Sequence, residues 1–203
     1  MYLPKHFNRP EHAAAIMRAH PLASLITTDS AGFPFVAHLP LRLESSQGGT
    51  EVLLGHCARA NPLWGYLQER PLALASFMGP QAYMSPKVYA DLQRMPTWSY
   101  LAVQARVQAR LLEGEEAKDA LLKQLIADHE PAYAAQWRAL PEDYTGRMLG
   151  AIVAFELRIE SLDCAVKLNQ HRPEAHAAMH SLWSQGTAQE QSLAGWMETL
   201  GMV

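Results

Sequence analysis

Residues 100 to 111 alternate with a regularity that only an extended strand explains. Leu101, Val103, Ala105, Val107, Ala109 and Leu111 face one side, while Tyr100, Gln104, Arg106, Gln108 and Arg110 face the other. A strand places successive side chains on opposite faces. Most strands run for about five or six residues, so one much longer serves two sheets or closes a barrel. Whatever surrounds this segment must be a large antiparallel sheet system.

The flanking sequence supplies the other strands of that system. Leu22 to Thr28 is β-rich and ends in the turn cluster Asp29-Ser30-Ala31-Gly32. Phe35, Ala37, Leu39, Leu41 and Leu43 then occupy alternate positions, which predicts a hairpin. A polar loop from Ser45 to Gly49 leads to a third strand, Glu51 to His56. Leu72 to Phe77 and Ile152 to Ile159 read as two more. Met78 to Pro96, with prolines at 80, 86 and 96, reads as irregular.

Helices fall at the edges and ends. Pro10 to Ala19 is one, ended by His20-Pro21 because the residue before a proline is pushed out of helical geometry. Asn61 as N-cap and Pro62 at the first position start another, with Leu63, Trp64 and Leu67 as its apolar face. Glu115 to His129 carries the stripe Leu121, Leu122, Leu125 and Ile126. Tyr144 to Leu149 is a short helix, and the chain from Pro173 on is helical, with a Trp196-Met197-Leu200 stripe that needs a partner surface. About six strands without a βαβ rhythm predict an α+β barrel, not a doubly wound fold.

Composition narrows the function classes. At 203 residues the chain is one domain, or one domain with an appendage. With 49% hydrophobic and 18% charged residues it can fill a core. Lys and Arg total 17 against 20 Asp and Glu, and no two basic residues are adjacent. That argues against a polybasic stripe for nucleic acid, although folding or dimer symmetry could still assemble a patch. Cys57 and Cys164 read as two buried thiols in a reducing cytosol, and no Cys/His spacing fits structural zinc. The segment Met1 to His6 lacks the charged start and apolar run of a signal peptide. The expectation is a cytoplasmic globular protein with no membrane contact.

Several segments carry polar groups suited to a ligand. In Gly55-His56-Cys57-Ala58-Arg59-Ala60-Asn61-Pro62 a strand ends, a turn carries one arginine and a helix begins. A guanidinium and helix-start N–H groups can converge there on an anion such as a phosphate. The alternative is a solvated Arg59 beside a helix cap. Gly79 to Pro86, including Tyr83 and Ser85, and Pro96 to Tyr100, including Thr97 and Trp98, are aromatic, rigid and low in charge. They suit a flat aromatic ligand, or they plug the end of a barrel. His38, on the polar side of its strand, could line the same cavity, and Lys167 to Arg172, including Gln170, packs polar donors into six residues. His176 and His180 are one helical turn apart with no acidic third ligand indicated, so they read as a surface helix and no metal site is assigned.

These segments, in this order, resemble the PaiB-like family of FMN-binding transcriptional regulators, which is related to flavin split barrels such as the pyridoxamine-phosphate oxidases. The resemblance rests on Met1 to Pro4 with Phe7, His20 to Ala23, and His38-Leu39-Pro40. It continues through Gly55 to Pro62 with Trp64, Gly79 to Pro86 with Tyr89, Pro96-Thr97-Trp98, Phe155-Glu156 and Lys167 to Pro173. It implies an antiparallel split β-barrel over residues 1–172, a C-terminal helical extension over 173–203, and a homodimer with FMN at the subunit interface. It also implies that Arg59, with His56 and Ala58, holds the flavin phosphate, and that Ser85, Trp98 and Lys167 to Arg172 line or close the site. The chain departs from the family pattern at Lys87-Val88, Ser99 and Asn169-Gln170-His171. The activity implied is transcriptional regulation, with direct DNA contact left open and not supported by the charge pattern; the alternative is an FMN-dependent oxidoreductase.

Overall fold

The computed structural model describes residues 1–45, 51–91 and 93–203. Its strands are β1 (Leu22–Thr28), β2 (Pro34–Pro40), β3 (Arg42–Ser45), β4 (Glu51–Ala58), β5 (Leu72–Met84), β6 (Thr97–Leu112) and β7 (Ile152–Lys167). They form one antiparallel sheet in the order β2-β1-β5-β6-β7-β4-β3. The helices are α1 (Ala13–Ala19), α2 (Leu63–Glu69), α3 (Glu115–His129), α4 (Ala134–Ala139), α5 (Glu142–Gly150), α6 (His176–Ser184) and α7 (Ala188–Thr199). The chain divides into two compact units. One comprises residues 21–76 and 105–162, the other residues 1–20, 77–104 and 163–203.

In the first unit, β1 and β2 pair from Leu22↔Pro40 to Thr28↔Pro34. Asp29 organises their turn: its Oδ1 accepts from the N–H groups of Ala31 and Phe33 at 2.9 and 2.8 Å. The expected single strand from Phe35 to Leu43 is instead two. Pro40 has no N–H to extend the ladder with β1, so the chain changes partner there. Leu41 N–H donates to Pro21 O at 2.9 Å, and β3 pairs with β4 from Arg42↔Leu54. The alternation survives the change, since Ala37, Leu39, Leu41 and Leu43 are all buried. Only Ser45 of the expected polar loop lies within the described residues.

β4 pairs with β7 over Val52↔Arg158 to Ala58↔Ile152. A Cβ on Gly55 would come within 2.6 Å of Leu41 Cδ2 and 2.9 Å of the Phe155 ring. Both side chains are fully buried, so only glycine fits. α3 buries Leu121 and also Lys118, whose ammonium donates to Leu149 O at 3.0 Å near the end of α5.

In the second unit, two strands outrun their sequence reading. β5 does not stop at Phe77 but continues through Gly79 and Pro80 to Met84. The glycine is there for contact: a Cβ on it would lie 3.1 Å from Leu101 Cβ. β7 does not stop at Ile159 but runs to Lys167, past a polar stretch, into the buried run Cys164, Ala165 and Val166. α7 starts with a capping box in which Thr187 and Glu190 serve each other's N–H groups. The stripe it carries does find a surface. Met197 is fully buried, and the Trp196 ring meets His12 edge-on at 5.5 Å.

Candidate functional site

Arg59 follows the last residue of β4. Its Nε donates to Gly150 O at 2.7 Å and its Nη2 to Ile152 O at 3.4 Å. Its own N–H donates to Ala151 O at 2.8 Å, and its carbonyl accepts from Trp64 Nε1 at 2.9 Å. The residue therefore clasps the end of α5 to the start of β7. The guanidinium is exposed, and among the described residues no carboxylate pairs with it. α2 begins at Leu63 with Pro62 as its cap, one position later than expected. Asn61 precedes the cap, and its Oδ1 accepts from Leu63 N–H at 3.0 Å, a side-chain turn of the kind asparagine favours.

His56, on β4 opposite Ala154, is half-buried, and burial pulls its pKa below the ordinary imidazole value. Ala58 ends β4 exposed. His38 is exposed on β2, where its Nδ1 shares a 3.0 Å hydrogen bond with Ser24 Oγ across the β1–β2 pair. Nearby positions of this unit carry large exposed apolar groups: Leu22, Val36 and Leu72 are 68%, 48% and 70% exposed.

The second unit holds a cavity of about 340 Å³. Of the residues expected in a site, Thr97, Lys167 and Arg172 line it. Lys167 ends β7, and its ammonium donates to Thr97 Oγ1 at 3.0 Å and sits 5.5 Å from the centre of the Tyr100 ring. Among the described residues the one carboxylate near Arg172 is Glu174, at 3.9 Å. Between them Asn169 takes the left-handed conformation, φ 64°, and donates to Tyr89 Oη at 2.9 Å. Gln170 does not line the cavity; it staples the loop, donating to Val166 O and accepting from Leu168 N–H.

Other expected residues in this unit lie outside the cavity. Ser85 Oγ accepts from Lys87 N–H and caps the one-turn helix Pro86–Val88. Trp98 donates to Gln81 Oε1 at 2.7 Å and packs edge-on against Tyr83, both rings about half exposed. The cavity also gathers residues that no spacing marked: His6, Arg94 and Met95. The His6 and His171 ring centres are 5.1 Å apart, and Phe7 meets His171 edge-on at 5.7 Å. Burial, His6 and Arg172 together hold the His171 pKa below the ordinary imidazole value, against the opposing pull of Glu174.

Residues 1–161 match the family model described as "Putative FMN-binding domain". The chain belongs to this FMN-binding, PaiB-like split-barrel family. Within it, the chain is 30% identical to the protease synthase and sporulation protein PAI 2 of Bacillus subtilis, over 86% of this chain and 84% of that one. The fold is shared with the flavocytochrome Anf3 of Azotobacter vinelandii, at TM-score 0.65 and 19% identity over 82% of this chain and 73% of that one. It is shared also with an FAD- and haem-binding protein of Mycobacterium smegmatis, at TM-score 0.59 and 18% identity over 78% and 71%. The family match takes in the Arg59 turn and Trp98 but ends before Lys167, Arg172, α6 and α7. Among the described residues no helix is long and apolar enough to cross a membrane.

Proposed function

We propose that this chain binds FMN as a homodimer and that the loaded dimer regulates transcription. The observation that carries the flavin assignment is Arg59. Two carbonyls fix its guanidinium in place, which leaves its remaining N–H donors exposed and free of any carboxylate among the described residues. A pre-positioned guanidinium is the donor set that a phosphate ester requires. The Arg59 guanidinium fits the phosphate of the group. When bound, FMN supplies electron transfer; the protein holds its phosphate, orients its ring and limits water.

The exposed apolar positions Leu22, Val36 and Leu72 support a second subunit, since a monomer would leave them in water. The regulatory reading is supported by the family and by a relative named for protease synthesis and sporulation. An oxidoreductase is the second reading, favoured by a ligand-sized cavity lined with donors.

The test is a flavin titration of the apo-protein with riboflavin as the phosphate-free control. FMN binds at least tenfold more tightly than riboflavin, and Arg59→Ala abolishes the difference. Equal affinity for the two overturns the phosphate assignment. Light scattering reads the dimer. DNA retention whose affinity falls steeply with salt supports regulation by contact. Rapid flavin reduction by a nicotinamide donor, without DNA retention, supports the enzyme.

A further inference from the structure

Four successive carbonyls where α5 hands over to β7 are held by two cationic residues. Leu149 O accepts from the Lys118 ammonium at 3.0 Å. Gly150 O accepts from Arg59 Nε at 2.7 Å, Ala151 O from the Arg59 N–H at 2.8 Å and Ile152 O from Arg59 Nη2 at 3.4 Å. Both cations and the connection belong to the first unit. Arg59 is exposed, whereas Lys118 is buried.

Lys118 stands where its helix calls for an apolar side chain. It precedes Leu121, Leu122 and Leu125 of the α3 stripe by three, four and seven residues, which puts it on their face. A methionine or leucine would fill that position without stripping water from a charge. Among the described residues Lys118 is the one buried lysine or arginine, and no carboxylate there pairs with it. A buried ammonium without a counter-ion is costly. The end of α5 offsets part of that cost. The last carbonyls of a helix lack partners within it, and together they carry a partial negative charge.

We propose that Lys118 is a positioning residue for the Arg59 site. It pins Leu149 O, and so keeps the neighbouring Gly150 O where it fixes the guanidinium. Its charge, buried and therefore weakly screened, adds to the positive potential that a phosphate meets at Arg59. Being buried, Lys118 acts through Arg59 and does not touch the ligand. The proposal rests on the flavin reading for the identity of the anion; the link from Lys118 to Arg59 is a property of the protein alone.

Lys118→Met keeps most of the apolar stem and removes both the donor and the charge. The first effect falls on Arg59 itself. With Leu149 O released, the end of α5 loosens and the Arg59 Nε–H exchanges with water at least fivefold faster in apo-protein. The second effect falls on the phosphate. FMN binds at least fivefold more weakly, while riboflavin, which has no phosphate to meet Arg59, stays within twofold of its wild-type affinity. A variant that was merely destabilised would weaken both flavins alike.

NMR-detected hydrogen exchange at Arg59 and paired titrations with FMN and riboflavin test the proposal on the full chain, with unchanged circular dichroism establishing that the variant folds. Lys118→Gln, which also lacks the charge, is read in the same way and takes the place of the methionine variant should that one not fold. Two outcomes overturn the proposal: exchange of the Arg59 Nε–H at the wild-type rate, or FMN and riboflavin affinities that fall together or not at all. A wild-type protein that binds FMN no better than riboflavin removes the flavin reading instead. The exchange rate at Arg59 then decides the link by itself, faster in the variant upholding it and unchanged overturning it.

Discussion

Arg59 and Lys167 are both cations that meet no carboxylate among the described residues, and they sit in different units of the chain. Arg59 donates to two carbonyls and holds the α5–β7 connection. Lys167 donates to one hydroxyl and rests near a tyrosine ring. One cation is part of the scaffold as well as exposed to a ligand; the other is held in readiness and supports little. The difference teaches that an unpaired charge identifies a ligand site most cleanly where the fold does not also depend on it.

Substitution separates the two. Arg59→Ala removes charge-assisted bonds to carbonyls at the end of a helix, so it costs about 1–2 kcal/mol of stability, the lower part of the usual range because the group is exposed. Lys167→Ala stays within about 0.5 kcal/mol. Chemical denaturation of both variants reads the contrast. Equal losses would mean that Lys167 braces its strand end as Arg59 braces its connection.

Much of this was legible before the structure. The alternation from Leu101 to Leu111 announced β6 because one face of that strand is almost wholly buried. The far halves of β5 and β7 were not legible. Gly79 and Pro80 read as breakers, although Gly79 is small because Leu101 lies against it. Glu160 to Asp163 read as the end of a strand, because the buried run Cys164 to Val166 follows only after four residues without alternation. For the site, Thr97, Lys167 and Arg172 were recognisable from their motifs. His6 and Arg94 were not, since they reach the cavity from a one-turn helix and an irregular segment that carry no periodicity.

Protonation sharpens the contrast next. The His171 pKa lies below the ordinary imidazole value, so as pH falls the unfolded chain takes up this proton before the folded one does. Stability contributed at His171 is therefore present above pH about 6.5 and is lost as pH falls through the lower folded value. Burial is the largest cause of that shift, with His6 and Arg172 adding to it. The His56 pKa is lowered by burial alone. Arg172→Gln therefore raises the His171 pKa and leaves His56 unmoved, and an imidazole NMR titration of both forms reads the difference. A His171 value that does not move would mean that burial alone sets it.

The smallest effect uses the two thiols, one in each unit. Cys57 lies two residues before Arg59 on β4, and Cys164 lies three residues before Lys167 on β7. Both are buried, and burial raises both pKa values, that of Cys164 to about 12. A thiol reacts as its thiolate, so neither alkylates at pH 8 unless its strand opens. Slow iodoacetamide labelling followed by peptide mass analysis then reports opening beside each site separately. FMN should slow labelling of Cys57 more than of Cys164, because a ligand stabilises the region that must be closed to hold it. If FMN protects both thiols equally, the two units open together, and the contrast between a structural cation and a waiting one belongs to chemistry alone and not to local stability.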